Sequence, residues 1–497
     1  MNKTFSKIYI IGVAVIIMMG SCVGDENFST STSDYLAFST DTVSLDTTFS
    51  NVPTPTQTLW VYNHSGSSLR CSNVRLENGN QTGFRVNVDG TYLGQAAGYQ
   101  TQDVEIRKGD SIRVFVELTS TIQHSDKPEL VEDNIVFTLE SGVMQKVNLK
   151  AYSWDAELLT NGIIVEKGSN QTIGGDGKPY VIYKGILVDS TATLTILPGT
   201  TLYFHEDAPL EVYGTLKCKG EQNNEIVLRG DRIDNMFSYL PYDRTPGQWT
   251  GVTIYPSSSD NEITFTDLHS AYNGISVYSS DIAKQSLTIK NSTVHNCQGY
   301  GVYVDSAKVT MENCQLTNTL GNCLFAHHGD VKVNACTLAQ FYPFDSQRKS
   351  AIGFEAPLTN LSVINSIVTG YHDDEVTWTE PGKEDEFNFS FDHCLLRTPK
   401  LETADSIKFT NIVYESIEED SIKQGEGFVY CGQKNFRTFD TDNLYYDFHL
   451  CGQSAATGIA NASTLPKTDR DGNLREALKN DAGCFIHDES NEQEKKE

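Results

Sequence analysis

Arg348-Lys349 and Asp373-Asp374-Glu375 are the residues whose types and spacing come closest to a reaction centre. β-Elimination on an acidic sugar needs a base of Arg or Lys type. It also needs Ca²⁺ held by clustered acids, or another device that neutralises the substrate carboxylate. The competing reading is a solvated loop, because Glu384-Asp385-Glu386 follows in a chain that is acidic throughout, and it is the preferred one. His327-His328 offers two imidazoles, but adjacent residues on a strand point to opposite faces and chelate one ion poorly. No catalytic residue and no metal ligand is therefore assigned. No cofactor is expected, and Ca²⁺ enters only if the chain is a lyase.

Binding is better provided for. Three stretches set aromatic residues beside polar ones: 237–249 (FSYLPYDRTPGQW), 341–349 (FYPFDSQRK) and 371–387. Exposed Trp and Tyr present an apolar body to a sugar face while nearby acids and amides bond its hydroxyls. Trp249, Tyr242, Trp378 and Tyr371 are the candidate ligand-binding residues. The alternative is that these rings pack the insertions onto the body of the domain. No G-x-S-x-G occurs, and Gly174-Gly175-Asp176-Gly177 is a turn with no helix after it, so neither a serine nucleophile nor a phosphate cradle is indicated.

What must position these residues is a repeat. Leu287-x-Ile289-x-Asn291-Ser292-x-Val294 aligns with Val309-x-Met311-x-Asn313-Cys314-x-Leu316 and with Val331-x-Val333-x-Ala335-Cys336-x-Leu338, and 361–368 and 389–396 repeat the phrase. A period of about 22 residues closes one turn of short strands, each pairing in parallel with the strand one coil below. Asn291, Asn313 and Asn365 then share one bend, where stacked amides can bond one another and the backbone. Ser292, Cys314, Cys336, Ser366 and Cys394 share one small inward position. Their cysteines read as core filling rather than disulfides.

With Leu194-x-Ile196-x-Pro198-Gly199-Thr200-x-Leu202-x-Phe204 and Trp249-x-Gly251-Val252 upstream, and Asp481-Ala482-Gly483-Cys484-Phe485 downstream, residues 160–486 resemble bacterial right-handed parallel β-helix proteins. The resemblance implies an all-β fold with sites in the stretches that interrupt the repeat. It also implies helix ends that need covering, by the preceding domain at one end and by residues 440–486 at the other. Such helices include polysaccharide lyases, polygalacturonase-type hydrolases, adhesins and proteins without known activity, so the fold does not choose among them. His327-His328-Gly329 and His372-Asp373-Asp374 echo polygalacturonase motifs in reversed order, with no basic clamp after them.

Residues 34–153 read differently. Alternating stretches at 58–62 (TLWVY), 83–88 (GFRVNV), 111–118 (SIRVFVEL) and 134–139 (NIVFTL) are separated by turns, as in a β-sandwich. Trp60-Val61-Tyr62-Asn63-His64-Ser65-Gly66 and Phe84-Arg85-Val86 resemble immunoglobulin-like domains of the abnormal-spindle type, which implies a spacer or contact module. Ahead of it, Lys3, Lys7 and an apolar run over 8–19 precede Met19-Gly20-Ser21-Cys22, which resembles a bacterial lipobox. That resemblance implies cleavage after residue 21 and lipid on Cys22, making the membrane a partner through the anchor. Val23-Gly24-Asp25-Glu26-Asn27 resembles the acidic export signal of Bacteroidota surface lipoproteins, so the expected place is the outer membrane, facing outward. Residues 22–33 read as lipidated cysteine and tether, and 487–497 as a disordered tail.

A net charge of −27 argues against nucleic acid as a partner. The expectation is a surface lipoprotein with a binding or structural role and a glycan as ligand. The alternatives are a polysaccharide lyase or hydrolase, and an adhesin.

Overall fold

The computed structural model describes residues 27–79, 81–379, 382, 386–402, 404–423, 427–475 and 480–487. Cys22, the signal segment, the acidic residues after it and the tail beyond His487 lie outside them. The described chain is all β apart from short 3₁₀ turns, and it divides into two compact units at Asp155/Ala156.

The first unit is a β-sandwich. One sheet orders Ala37–Phe38, Gln57–Tyr62, Ser111–Leu118, Phe84–Val88 and Thr91–Tyr92; the other is built around Thr42–Phe49, Met144–Trp154, Glu129–Leu139 and Leu69–Leu76. The period-2 pattern is the cause: Leu59, Val61, Val86, Val114 and Val116 from one sheet and Val74, Ile135, Phe137, Val147 and Leu149 from the other are all buried. Ordered pairing starts ahead of residue 34. Phe28 bridges Ser68, and Arg70 lies 4.6 Å over its ring, so part of the expected tether is held against the sandwich.

The second unit is a parallel β-helix with three walls. Wall A has eleven strands, from Glu157–Leu159 to Val413–Tyr414. Wall B has nine, from Ile163–Val165 to Val376–Thr379. Wall C has ten, from Asn170–Ile173 to Phe409–Thr410. Strictly parallel register makes columns of like residues. On wall A the inward column reads Leu228, Leu268, Val294, Leu316, Leu338, Val368 and Leu396, and all seven are buried. The bend from wall C to wall A recurs in the left-handed region, at Phe265, Asn291, Asn313, Ala335, Asn365, His393 and Asn411. Asn accepts that conformation more readily than most residues, which accounts for its recurrence.

The small position after the bend carries more than core filling. Ser292 Oγ accepts from the backbone N–H of Thr266, Cys336 Sγ from that of Cys314, and Ser366 Oγ from that of Cys336. The ten described cysteines are free thiols, eight of them buried.

One expectation about the coils is extended and one is corrected. The amides at and beside the bend do bond one another, Asn365 Nδ2 to Asn334 Oδ1 at 2.9 Å and, more weakly, Asn313 Nδ2 to Asn291 Oδ1 at 3.5 Å. Their other partners come from the C-terminal segment. Asn313 donates to Thr468 O at 2.8 Å, Asn334 to Thr464 O at 2.8 Å, and Asn365 to Thr464 Oγ1 at 2.9 Å, while Asn291 reaches Asp469 O at 3.3 Å. The described residues of this segment, 440–475 and 480–486, therefore do not cap the end of the helix. They run back along its side as a strap. The strap's Phe448, Leu450, Ala456, Ala482, Cys484 and Phe485 share one core with Ala339, Phe341, Ile367 and Leu395 on the outside of wall A. The outward column there falls to Thr317, Ala339 and Thr369, small enough for another layer to lie on it.

Candidate functional site

Wall B is where the coils set chemically useful side chains side by side. Its two outward columns are Ser276, Tyr303, Phe325, Gly353, Thr377 and Tyr278, Asp305, His327, Glu355, Thr379. Tyr303 and Phe325 stack at 5.6 Å with planes 6° apart, Tyr300 leans on both at 5.2 and 5.5 Å, and Tyr278 lies 5.8 Å from Tyr303. All four rings are part-exposed. They form an apolar strip with phenol hydroxyls on a rigid sheet. One coil further on, Gly353 leaves the column empty. A Cβ there would meet Asn322 Nδ2 at 2.7 Å, and that amide is fixed by Ser350 O and Oγ at 2.8 and 2.9 Å.

Two insertions rise beside this gap and close a groove of about 320 Å³. The one before strand Ile352–Glu355 brings Arg348 and Lys349, and the one before strand Val376–Thr379 brings His372 and Asp374; Phe325 and Trp378 line the groove as well. Glu375 ties the insertions together. Fully buried, it accepts backbone N–H groups of Ala351 and His372, each at 2.7 Å. Burial pushes its carboxyl well above the ordinary range, against the pull of those N–H groups and of Arg397. Buried Arg397 completes the support, donating to His372 O and to Asp420 Oδ2, each at 2.6 Å. Asp374 accepts from Thr398 Oγ1 at 2.8 Å and from the N–H of Val376 at 3.1 Å, and burial raises its pKa. The acidic run is thus not the solvated loop expected: Asp373 alone of the three is exposed.

The cations differ from the acids in their partners. Arg348 donates to the carbonyls of Tyr342 and Asp345 and lies 4.4 Å over the Tyr371 ring, but its buried Nε has no hydrogen-bond partner. Among the described residues neither Arg348 nor exposed Lys349 has a carboxylate within 4 Å, although Arg348 is near enough to Glu375 to favour its charged form. In a chain with 65 acidic against 38 basic residues, two such cations in one groove are a local concentration of positive charge, set beside Asp374.

Of the four aromatic candidates, Trp378 alone lines this groove. It is no free platform, however. It continues the inward column Val304, Ala326, Phe354 and stacks on Phe354 at 5.6 Å. Tyr371 is clothed by Arg348, Phe341 and Tyr430. Tyr242 lies in the other insertion, with Arg232 3.7 Å over its ring. Trp249 is corrected outright: it is 1 % exposed, stacks on Phe204 at 4.2 Å and donates from Nε1 to His269 O at 2.9 Å. It stands where its insertion rejoins the helix, so its ring enters the core and can meet no ligand. The rings missed, Tyr303 and Phe325, left a signal, because they occupy one position of the repeat.

The His327-His328 expectation also changes. Strand pairing ends at His327, and His328 turns with φ +53°, so alternation lapses and the rings lie 4.1 Å apart. With Asp305, their donor atoms fall within 4.8 Å of one another, close enough to share an ion.

This fold and groove define the class: a parallel β-helix with a laterally open site. The family model for the right handed beta helix region matches residues 160–338. No curated protein matches the sequence. Among solved structures, similarity is found to a family 123 glycoside hydrolase from Clostridium perfringens (12 % identity, TM-score 0.18, 26 % of each chain). The chain thus spans about a quarter of that enzyme's length. A PapD-like domain of human CEP192 matches at 11 % identity and TM-score 0.17, over 27 % of this chain and 94 % of that one. The catalytic unit of a GH87 α-1,3-glucanase from Streptomyces thermodiastaticus matches at 8 % and 0.17, over 71 % and 88 %. Likeness at this level transfers no activity, so the chemistry is argued from the groove itself.

Proposed function

We propose that the protein is a lipoprotein, held at the outer face of the outer membrane through Cys22, that binds an anionic glycan along wall B. The observation that carries the binding reading is the pair Arg348 and Lys349, neither within 4 Å of a carboxylate among the described residues, beside the strip of Tyr300, Tyr303 and Phe325. A sugar ring covers apolar surface on the strip, and its carboxylate or sulfate meets the guanidinium and ammonium groups. Rigid strands hold the strip, so little ordering entropy opposes binding.

A second reading, a polysaccharide lyase, is favoured by one arrangement: Lys349 and Asp374 line the same groove. One experiment separates the two. The mature chain is tested for retention on polygalacturonate, on a sulfated glycan and on a neutral glucan, with and without Ca²⁺, while the ultraviolet absorbance of unsaturated uronate is followed. Retention on an acidic polymer without products is the expected result. Products would make Lys349 and Asp374 active-site residues. Equal retention on the neutral glucan would remove the role given to the cations. For the anchor, mass spectrometry of the membrane fraction should find an acylated N-terminal cysteine at position 22, and an unmodified cysteine there would refute it.

A further inference from the structure

Wall A carries a second constellation where the strap passes over it, and strap residues such as Asp447, His449 and Arg470 form the other side of its groove. Asp267 and His269 stand on strand Thr266–His269 and His295 on Thr293–Cys297 one coil on, with His269 and His295 in direct register. One oxygen, Asp267 Oδ1, lies 3.0 Å from His269 Nδ1 and 3.1 Å from His295 Nε2. The three donor atoms all fall within 4.8 Å of one another. A tetrahedral ion with metal–ligand bonds of roughly 2.0–2.1 Å sets its ligand atoms about 3.3 Å apart. The carboxylate-to-imidazole spacings are thus near those of a bound ion.

Support behind the donors follows the pattern of a metal-binding imidazole. The far nitrogen of His269, Nε2, donates to Asp243 at 2.9 Å, and Asp243 is itself paired with Arg229. A carboxylate in that place fixes the tautomer and the ring plane and makes Nδ1 a better donor to metal. His269 is almost fully buried, whereas Asp267 and His295 face a groove of about 420 Å³. That leaves room for a fourth ligand from solvent. Arg470, which also lines the groove, is engaged by Glu225 and Asp471.

We infer that Asp267, His269 and His295 bind one divalent ion of the Zn²⁺ class, with an open coordination position toward this groove. Two imidazole nitrogens and one carboxylate suit Zn²⁺, Co²⁺ or Ni²⁺; Ca²⁺ and Mg²⁺ take oxygen ligands and serve as controls. Without an ion, both nitrogens of His269 face carboxylates, which only the imidazolium satisfies. Metal binding at Nδ1 therefore releases that proton to solvent, while the Nε2 proton stays on the ring and is donated to Asp243.

The test is calorimetric titration of the chelator-stripped mature chain with Zn²⁺ near neutral pH, repeated with Co²⁺ while its visible absorption is followed. The expected result is saturable uptake at this site, with no comparable uptake of Ca²⁺. His295→Gln should weaken it about 30-fold, while His328→Gln, in the other histidine cluster, should leave it unchanged. Absence of saturable Zn²⁺ uptake, or loss in His328→Gln with retention in His295→Gln, overturns the inference. Anomalous diffraction from Zn²⁺-soaked crystals needs no variant. A peak between Asp267 and His295 supports the site, and none there overturns it.

Discussion

Along wall A the outward column reads His269, His295, Thr317, Ala339, Thr369; along wall B it reads Ser276, Tyr303, Phe325, Gly353, Thr377. Both columns belong to the same coils and rest on the same inward Leu, Val and Ile. On wall A the column falls to small residues where the strap's Phe448 and Phe485 lie, and Ala339 is fully buried. On wall B it rises to rings that stay part-exposed. Inward residues thus make the helix, and outward residues decide whether a face is covered by the chain's own strap or left exposed.

The sharpest way to break this comparison is to cut a large side chain on the covered side. Phe341→Ala empties a fully buried site under the strap, and Trp249→Ala, which empties one inside the helix, serves as the reference; each should cost about 3–5 kcal/mol of stability in denaturant titration. Phe325→Ala, on the open wall, should cost under about 1.5 kcal/mol and lower glycan retention instead. A stability loss at Phe325 equal to that at Phe341 would erase the distinction.

Acidity comes next. Glu415 is buried beside Arg397 and Asp420, bonded by Thr369 and Asn435, and burial pushes it up to about 7. Its folded pKa lies above the unfolded one, so its contribution is most favourable below about pH 4.5 and is lost as pH rises through 7. The ceiling is about 3 kcal/mol, at 1.36 kcal/mol for each pKa unit. His449 in the strap follows the same sign at higher pH. Burial opposes its charge, but Asp447 and Asp471 hold it and carry it up to about 9. The stability it adds is present below about pH 6.5 and fades toward 9. Unfolding midpoints should therefore fall from pH 5 to pH 9, and Glu415→Gln should flatten the lower part of that slope. An unchanged slope in the variant would contradict the assignment.

The strap's mooring can be tested at Asn365, which is fully buried, donates to Thr464 and Asn334 and accepts from the N–H of Asn461. Asn365→Ala loses those bonds and places Ala at φ +52°, a combined cost of about 2 kcal/mol. Hydrogen exchange should show faster opening of 456–470 with wall B unaffected. The smallest effect belongs to the open wall: Lys349→Ala should weaken acidic-glycan retention about 10-fold, roughly 1.4 kcal/mol, without moving the unfolding midpoint.

Much of the β-helix was legible because its cause is periodic: alternate apolar residues and a left-handed bend recur in sequence. What else the bend amides bond was not legible. Their other partner arrives from residues 461–470, far along the chain, and spacing within the repeat carries no trace of it. Glu375 was misread because an acidic run in an acidic chain looks solvated. Its burial comes from two insertions converging, a tertiary fact. Trp249 looks exposed in the sequence because it closes an aromatic-rich insertion, whereas the chain is already back on the wall there. The Tyr303–Phe325 column leaves a periodic trace, each ring lying twelve residues after a bend asparagine, Asn291 or Asn313.

The central proposal is that wall B, and not wall A, meets the glycan. Hydrogen exchange of the protein with and without polygalacturonate tests it most directly. Protection is predicted at 300–305, 322–328 and 346–350, with none at 266–269 or 293–297. Protection confined to those two wall A segments, or none anywhere at a saturating concentration of bound polymer, would contradict the account.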